Sequence, residues 1–269
     1  MENLKKIKIR ESVLADYKKV ALSNSSSCCE DTTCCGTTEK DKLDSLSETL
    51  GYTVAEFKNV PEGSNMGLGC GNPQAIASIK SGETVLDLGS GGGFDCFLAS
   101  RSVGETGKVI GVDMTPEMVS KARENAVKGG YTNTDFRLGE IEHLPVADSS
   151  IDVIISNCVI NLSPEKEKVF AEAYRVLKNG GRLAISDIVS SVELPDKIKD
   201  DLSLYSGCMA GASSIDELYK LLEKTGFTKI SIEPKDKSRE FIKEWAPNRG
   251  IENYVVSATI EAVKAEDRS

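Results

Sequence analysis

Short apolar runs and amphipathic segments alternate along the chain from Glu83 onward. The segments FDCFLASRSV, TPEMVSKARENAVKGG and PEKEKVFAEAYRVLK carry apolar residues at helical spacing, and each follows an apolar run. Residues 151–157 are apolar almost throughout, which is typical of a strand buried on both faces. The alternation predicts an α/β fold with a Rossmann-like, doubly wound parallel sheet. The predicted strands of this region are 84–89, 108–114, 134–140, 151–157 and 182–189.

The two ends of the chain follow other patterns. Residues 1 to about 20 predict a polar helix, and the Ser/Thr-rich segment 23–41, with four cysteines, predicts a loop. Beyond Ser190 the rhythm is lost until a capping box at Ser214 and Glu217 begins another helix. Strands are predicted at the end of the chain, at 228–233 and 254–260. We therefore divide the chain into an N-terminal extension, a central domain and a C-terminal region: 1–72, 73–190 and 191–269.

Composition narrows the possible functions. The chain has 269 residues, of which 39% are hydrophobic and 28% charged, and its net charge is −9. An acidic chain without clustered Lys and Arg argues against nucleic-acid binding. No apolar run approaches the about 20 residues of a membrane span, and the charged N-terminus lacks the apolar core of a signal peptide. We therefore expect a cytoplasmic protein that binds neither nucleic acid nor membrane.

Cysteine and histidine are unequally used. The chain has eight cysteines and one histidine, His143. The reducing cytoplasm argues against a disulfide framework. A hydrolase built on a histidine base, or a histidine-rich zinc enzyme, would need more than this one histidine. The cysteines therefore call for another explanation.

A glycine-rich turn follows the first predicted strand. In LDLGSGGG, Gly89, Gly91 and Gly93 let the backbone approach a ligand closely at a helix N-terminus. Phe94 occupies the place of the third glycine of the dinucleotide fingerprint, which disfavours NAD. Asp113 ends the second strand, where a carboxylate can accept bonds from both ribose hydroxyls. Taken singly each feature could be a solvated strand end or an ordinary turn, but together they predict a nucleoside site.

These motifs resemble the class I S-adenosylmethionine-dependent methyltransferases. The resemblance rests on D-x-G-x-G-x-G, on Asp113 and on the final strand YVVSATI, and it covers about residues 75–190. It implies that S-adenosylmethionine is the cofactor and that Asp87 orients the glycine turn. It also implies contacts with the methionine part, the adenine and the sulfonium from Gly89, Ser90, Gly91, Met114, Ile141, Glu142 and Asn157.

Three further cysteines are predicted to lie in loops near this site. Cys158 follows the fourth strand, Cys70 lies in a glycine-rich loop, and Cys208 lies in SGCMAGA. Cys96, within a helix, is interpreted as a packing residue. Three converging thiols favour a soft ion. Zinc prefers four ligands, often in paired C-x₂₋₄-C spacing, and the chain has no C-x-x-C pair. Trivalent arsenic takes three thiolates and keeps a lone pair that can attack a methyl group without a base.

The thiol motifs resemble the arsenite methyltransferases. The matching segments cover nearly the whole chain: SNMGLGCGNP, VLDLGSGGGFDCFLAS, GVDMTPEM, SNCVINLSPEK, AYRVLKNGGRL, SDIV and SGCMAGA. The resemblance implies that Cys70, Cys158 and Cys208 bind As(III), supplied as arsenite or its thiol conjugates. It implies a fourth, N-terminal cysteine, for which we choose Cys35 among the four candidates Cys28, Cys29, Cys34 and Cys35. This cysteine would form a disulfide with Cys70, reset by thioredoxin or a small thiol.

Two other functions remain open at this point. The chain could methylate a small organic acceptor, with the cysteines as packing residues. It could also be a metalloid- or zinc-binding protein that has the fold and no turnover.

Overall fold

The computed structural model describes residues 2–23 and 39–266 and contains one seven-stranded sheet. The strand order is β3-β2-β1-β4-β5-β7-β6. The first five strands are mutually parallel, and β7 pairs antiparallel with both β5 and β6. The predicted α/β class and the predicted strand near the end of the chain are therefore confirmed, and the structure shows that this last strand is antiparallel. The strands are β1 (Thr84–Leu88), β2 (Lys108–Asp113), β3 (Thr134–Leu138), β4 (Ile151–Asn157), β5 (Leu177–Ser190), β6 (Phe227–Lys235) and β7 (Val255–Lys264).

Helices cover both faces of the sheet. Val85 of β1 belongs to an apolar cluster with Phe97 and Val119. The next residue, Leu86, belongs to a different cluster with Phe170 and Leu222. Alternate residues of a strand point to opposite faces, so the sheet is buried on both sides, as a doubly wound fold requires. The helices are α1 (Glu2–Leu22), α2 (Glu39–Thr49), α3 (Val54–Lys58), α4 (Gln74–Ala77), α5 (Phe94–Val103), α6 (Pro116–Gly129), α7 (Lys166–Val176), α8 (Asp196–Lys199), α9 (Leu202–Ser206), α10 (Ile215–Thr225) and α11 (Arg239–Trp245).

The starts of β5 and α7 are among the boundaries that differ from the sequence prediction. Strand β5 begins at Leu177, earlier than the predicted 182–189, and it includes the Asn-Gly-Gly segment. The reason is that Leu177 already pairs with Ile151, before the register shifts. Helix α7 begins at Lys166, two residues after Pro164, because Glu165 has a non-helical backbone with φ −133°. The predicted capping box is confirmed: the Ser214 hydroxyl accepts a bond from the Glu217 N–H, and the Glu217 carboxylate accepts one from the Ser214 N–H.

The carboxyl ends of β1, β2, β4 and β5 meet at one edge of the sheet. This is the edge at which open α/β sheets bind their ligands. Helix α1 lies over the same edge, where Ile9 and Val13 join an apolar cluster that contains Cys70, Cys158 and Cys208. The fold therefore gathers the glycine turn, the predicted carboxylates and the thiols at one place. The division into three regions stays a prediction.

None of the helices in the described part of the chain is both long and apolar enough to span a bilayer.

Candidate active site

Three thiols from distant parts of the chain meet beneath helix α1. Cys70, Cys158 and Cys208 are 2%, 3% and 2% exposed and belong to one apolar cluster. The sulfurs of Cys70 and Cys158 lie within 4.8 Å of each other, and the Cys208 side chain adjoins Cys158. The Cys208 thiol also donates to the carbonyl oxygen of Cys158 at 2.5 Å. The structure thus brings together the three thiols that the sequence placed in separate loops.

Two of these cysteines have an unusual backbone. Cys158 has φ 61° and Cys208 has φ 63°, in the left-handed region that favours glycine. Each conformation is held by backbone bonds: the Cys158 N–H donates to Ser186 O at 2.8 Å, and the Cys208 N–H donates to Tyr205 O at 2.9 Å. Strain of this kind persists where the surrounding structure fixes it, often at a functional site. Here it turns two thiols toward each other.

Burial and contact with neighbouring groups favour the protonated forms of Cys70 and Cys158. Hydrogen bonds with Cys208 and then with Cys70, together with burial, raise the pKa of Cys158 well above its ordinary value. Burial raises the pKa of Cys70, and the nearby Asp187 carboxylate raises it further. A soft ligand that takes three thiolates therefore has to displace the protons as it binds.

Asn157 holds the loop that carries Cys70. Its side-chain oxygen accepts a bond from the Cys70 N–H at 3.0 Å, and its side-chain nitrogen donates to Gly71 O at 2.8 Å. The same nitrogen donates to the Tyr52 hydroxyl at 3.0 Å and to an Asp95 carboxylate oxygen at 3.3 Å. The sequence assigned Asn157 to the cofactor. The structure gives it a second task, because it fixes Cys70 relative to β4.

The glycine turn and Asp113 form the floor of a cleft. Gly89, Gly91 and Gly93 all have positive φ. A Cβ on Gly89 would overlap the side chain of Val159, the residue after Cys158, so this turn lies directly against the thiol-bearing loop. Asp113 accepts from the Gly91 N–H at 3.0 Å, and burial raises its pKa.

All nine residues assigned to the cofactor line this cleft, which with its open mouth contains about 1160 Å³. The nine are Asp87, Gly89, Ser90, Gly91, Asp113, Met114, Ile141, Glu142 and Asn157. Cys158 lines it as well, whereas Cys70 and Cys208 lie behind Cys158. The Ser90 hydroxyl is buried without a hydrogen-bond partner in the described structure. An unsatisfied buried hydroxyl beside a glycine turn fits a polar ligand such as a nucleoside or amino-acid group.

Glu142 is enclosed rather than exposed on the surface. It is 5% exposed, accepts from the Ser163 hydroxyl at 2.6 Å, and pairs with Arg10 at 3.0 Å. Arg10 also pairs with Glu165 at 2.6 Å. Helix α1 is thereby tied to the side of the cleft that the resemblance assigns to adenine, an interaction that the sequence did not indicate. The side chain of His143, next to Glu142, is 70% exposed.

A buried acidic network beneath the glycine turn was not predicted from the sequence. The Tyr52 hydroxyl donates to Asp95 at 2.8 Å, and the Cys96 thiol donates to Asp87 at 3.2 Å. Burial raises the pKa of Asp95 to about 6 and that of Asp87 well above its usual range. Cys96 packs in the core as expected and in addition carries this bond. The available signal in the sequence was the short separation between Asp87 on β1 and Asp95 on α5, the two acids on either side of the glycine turn.

Asp187 is a second residue that the sequence reasoning missed. It lies on β5, is 2% exposed, and has a carboxylate oxygen within 4.8 Å of the Cys70 and Cys158 sulfurs. Burial raises its pKa to about 6, and Lys166, a partly buried residue whose own pKa is lowered to about 8 by desolvation, partly offsets that rise. A carboxylate within the apolar strand AISDIV was the signal in the sequence. The N-terminal cysteines, including Cys35, lie outside the described residues.

Comparison with known proteins adds three similarities. A family model described as a methyltransferase domain matches residues 79–226. An arsenite methyltransferase from Halobacterium salinarum is 52% identical over 95% of this chain and 66% of its own length. The human arsenite methyltransferase is 45% identical over 53% of this chain and 40% of its own length. This chain thus spans about two thirds of the first relative and less than half of the second.

A solved structure is similar in both fold and sequence. It is an arsenic(III) S-adenosylmethionine methyltransferase from Chlamydomonas reinhardtii, with a TM-score of 0.60 and 34% identity. The similarity covers 83% of this chain and 74% of that one.

Proposed function

This chain belongs to the family of S-adenosylmethionine-dependent arsenite methyltransferases, and from that premise we propose that it methylates As(III) held by its own cysteines. The convergence of Cys70, Cys158 and Cys208 in one buried cluster carries the proposal. A packing role alone does not require two of the three to adopt a left-handed backbone.

The cleft supports S-adenosylmethionine as the cofactor. The Gly91 N–H is oriented by Asp113, the Ser90 hydroxyl has no partner within the described structure, and Glu142 lies at the adenine side. When bound, S-adenosylmethionine supplies an electrophilic methyl carbon on a sulfonium sulfur. Cys158 is the thiol of the three that lines the cleft, so arsenic bound to it faces the cofactor space.

The thiols supply what the reaction requires of the protein. Arsenite exchanges its three hydroxyls for three cysteine sulfurs, and the thiol protons leave with the hydroxyls as water. The arsenic lone pair then forms the As–C bond while the C–S bond of the methyl donor breaks and its electron pair stays on sulfur. No proton is removed from arsenic, so no general base is needed. The contribution of the protein is alignment, which can account for a large part of a rate enhancement.

Methyl transfer takes two electrons from arsenic, and thiols can return them. We assign this to Cys70 and an N-terminal cysteine, Cys35 being our choice, which would form a disulfide as arsenic returns to the trivalent state. Two thiols of thioredoxin or of a small reductant would then reduce that disulfide by exchange. Free thiols of this kind are maintained in a reducing compartment, and we therefore place the protein in the cytoplasm.

Methyl transfer to arsenite tests the proposal directly. The purified, reduced protein is incubated with arsenite, methyl-labelled S-adenosylmethionine and a thiol reductant, and label is measured in arsenic species. We expect Cys158→Ser and Cys208→Ser each to abolish transfer while cofactor affinity stays within about twofold, because neither side chain forms the nucleoside side of the cleft. If both variants lost cofactor affinity equally, the cysteines would be structural.

A separate measurement distinguishes the organic-acceptor alternative. Trp245, the single tryptophan, packs against the apolar cluster that contains the thiols. We expect arsenite to change its fluorescence and to lower the number of titratable thiols. Arsenite without effect on either would favour a methyltransferase with a different acceptor.

A further inference from the structure

A carboxylate adjoins two of the three thiols and has no part in the proposed arsenic chemistry. One ligand atom each from Cys70, Cys158 and Asp187 lies within 4.8 Å of the other two, and all three residues are buried. Trivalent arsenic is expected to take the third thiol, Cys208, rather than an oxygen ligand, because soft ions select sulfur. The Cys70–Cys158 pair therefore has two different neighbours, a thiol on one side and a carboxylate on the other.

Asp187 is held rigidly in this position. One carboxylate oxygen accepts from the Ile188 N–H at 2.7 Å and from the Asn161 side chain at 2.9 Å, and the other accepts from the Ile160 N–H at 2.9 Å. A carboxylate offers about four acceptor positions, so three bonds leave one for another partner. That position is on the oxygen with a single bond to the protein.

The charge of this carboxylate is not matched by an adjacent cation. Lys166, a partly buried cation, acts on it electrostatically, but its ammonium bonds to Gly211 O. The described residues include no ion pair to Asp187 within 4.0 Å. A buried carboxylate without an ion-pair partner, next to two buried thiols, favours binding of a cation.

We propose that Cys70, Cys158 and Asp187 form a binding site for a zinc ion that overlaps the arsenic site. Two sulfurs and one oxygen, with water as the fourth ligand, are donors that zinc accepts. Tetrahedral zinc with bonds of about 2.3 Å to sulfur and about 2.0–2.2 Å to oxygen places its ligands roughly 3.5–3.8 Å apart. The three ligand atoms, now within 4.8 Å of one another, therefore need to approach by no more than about 1.3 Å.

The proposal implies competition between zinc and arsenite. Both ions use the sulfurs of Cys70 and Cys158, so they cannot bind together. Zinc requires Asp187 and not Cys208, whereas arsenic requires Cys208 and not Asp187. This opposite dependence separates the zinc site from the arsenic site even if arsenite methylation itself were disproved.

Zinc binding is measured on the full-length reduced chain in which Cys28, Cys29, Cys34 and Cys35 are replaced by serine, so that other thiols do not contribute. Zinc is titrated against a chromophoric chelator, and arsenite is titrated by Trp245 fluorescence with and without zinc. We expect one zinc per chain and a weaker apparent arsenite affinity when zinc is present. No bound zinc, or arsenite affinity unaffected by bound zinc, overturns the proposal.

Two variants in this background identify the ligands. Asp187→Asn is expected to weaken zinc binding at least about tenfold, which is 1.4 kcal/mol, and to leave arsenite affinity unchanged. Cys208→Ser is expected to do the reverse. Asp152→Asn, at the other end of β4 where its carboxylate pairs with Lys178, is the control that should change neither. Zinc affinity lost with Cys208 or retained without Asp187 would refute the site.

X-ray absorption of the zinc-loaded protein without these ligand substitutions gives a test that does not depend on how Asp187→Asn folds. We expect two sulfur and two oxygen neighbours around zinc. Three or more sulfur neighbours would mean that the thiols bind zinc without the carboxylate, and would overturn the proposal.

Discussion

Replacing Asn157 by alanine is expected to separate Cys70 from the other thiols. Asn157 is the link between β4 and the Cys70 loop, because its side chain bonds to the Cys70 N–H and to the Gly71 carbonyl. Alanine leaves both backbone groups without these partners. A buried donor or acceptor left unsatisfied costs about 1–3 kcal/mol, so the two together cost about 2–6 kcal/mol if the loop stays in place. If the loop moves outward to reach water, the cost falls but Cys70 leaves the thiol cluster.

These two possibilities have different readouts. Urea unfolding measures the loss of stability, and arsenite titration followed by Trp245 fluorescence measures the loss of the third thiol. We expect at least one of the two to change: unfolding free energy by about 2 kcal/mol or more, or arsenite affinity by about tenfold or more, which is 1.4 kcal/mol. The cofactor cleft keeps its glycine turn and Asp113, so cofactor affinity should fall less than arsenite affinity.

Asn133 provides the matched control. Its side chain also makes several hydrogen bonds to another segment. It donates to Ser100 O at 3.2 Å and Gly104 O at 3.0 Å, and it accepts from the Ser100 hydroxyl. It lies just before β3, at the opposite edge of the sheet from the thiols. Asn133→Ala should lower stability and leave arsenite affinity unchanged. Wild-type stability together with wild-type arsenite affinity in Asn157→Ala would refute the reasoning.

Two further predictions concern the carboxylates of the cleft. Asp113→Asn should weaken cofactor binding, measured by calorimetry, by about tenfold, because the charge that orients the Gly91 N–H is lost. Asp135→Asn, which changes a partly exposed carboxylate on the neighbouring strand, should leave cofactor affinity unchanged. Equal cofactor affinities of the two variants would contradict the assignment of Asp113. Asp95 has a folded-state pKa of about 6, above its ordinary 3.8, so the folded state binds more protons between these values and loses stability as pH rises from about 4 to about 6. Relative to Asp95→Asn, the wild type should lose up to about 2–3 kcal/mol over that range in urea unfolding, and a difference that is independent of pH would argue against the shift.

The fold could be read from the sequence because its determinants are local. Apolar runs of strand length, the glycine turn and the helix caps each specify an element without reference to distant residues, and residues 151–157 were bounded as the structure has them. The bounds of β5 could not be predicted, because its first residues are fixed by pairing with Ile151 across the sheet. The three thiols were singled out by their predicted positions in loops, and their assignment as As(III) ligands came from the family resemblance.

The contacts around the site depended on tertiary structure and were therefore missed. Nothing near Asp95 in the sequence indicates Tyr52 as its partner. Arg10 pairs with Glu142 from the first helix of the chain, far from Glu142 in the sequence. Asp187 was quoted within a motif and given no role, because a carboxylate in a strand acquires meaning from what lies on the next strand. Such residues can be identified only from the folded structure, in which the strand ends and their neighbours are brought together.

The carboxyl end of β4 connects every part of the proposed reaction. Ser156 donates to Leu88 O on β1, Asn157 fixes the Cys70 loop, and Cys158 adjoins both other cysteines. Val159 packs where Gly89 lacks a side chain, so the cofactor turn and the thiol loop cannot shift independently. A reaction without proton transfer from its nucleophile depends on alignment, and misplacement by about 1 Å can cost about 10²-fold in rate. Substitutions in residues 156–159 should therefore reduce turnover far more than their effect on stability implies. Each of these four consecutive residues sets a different distance around the reacting arsenic atom.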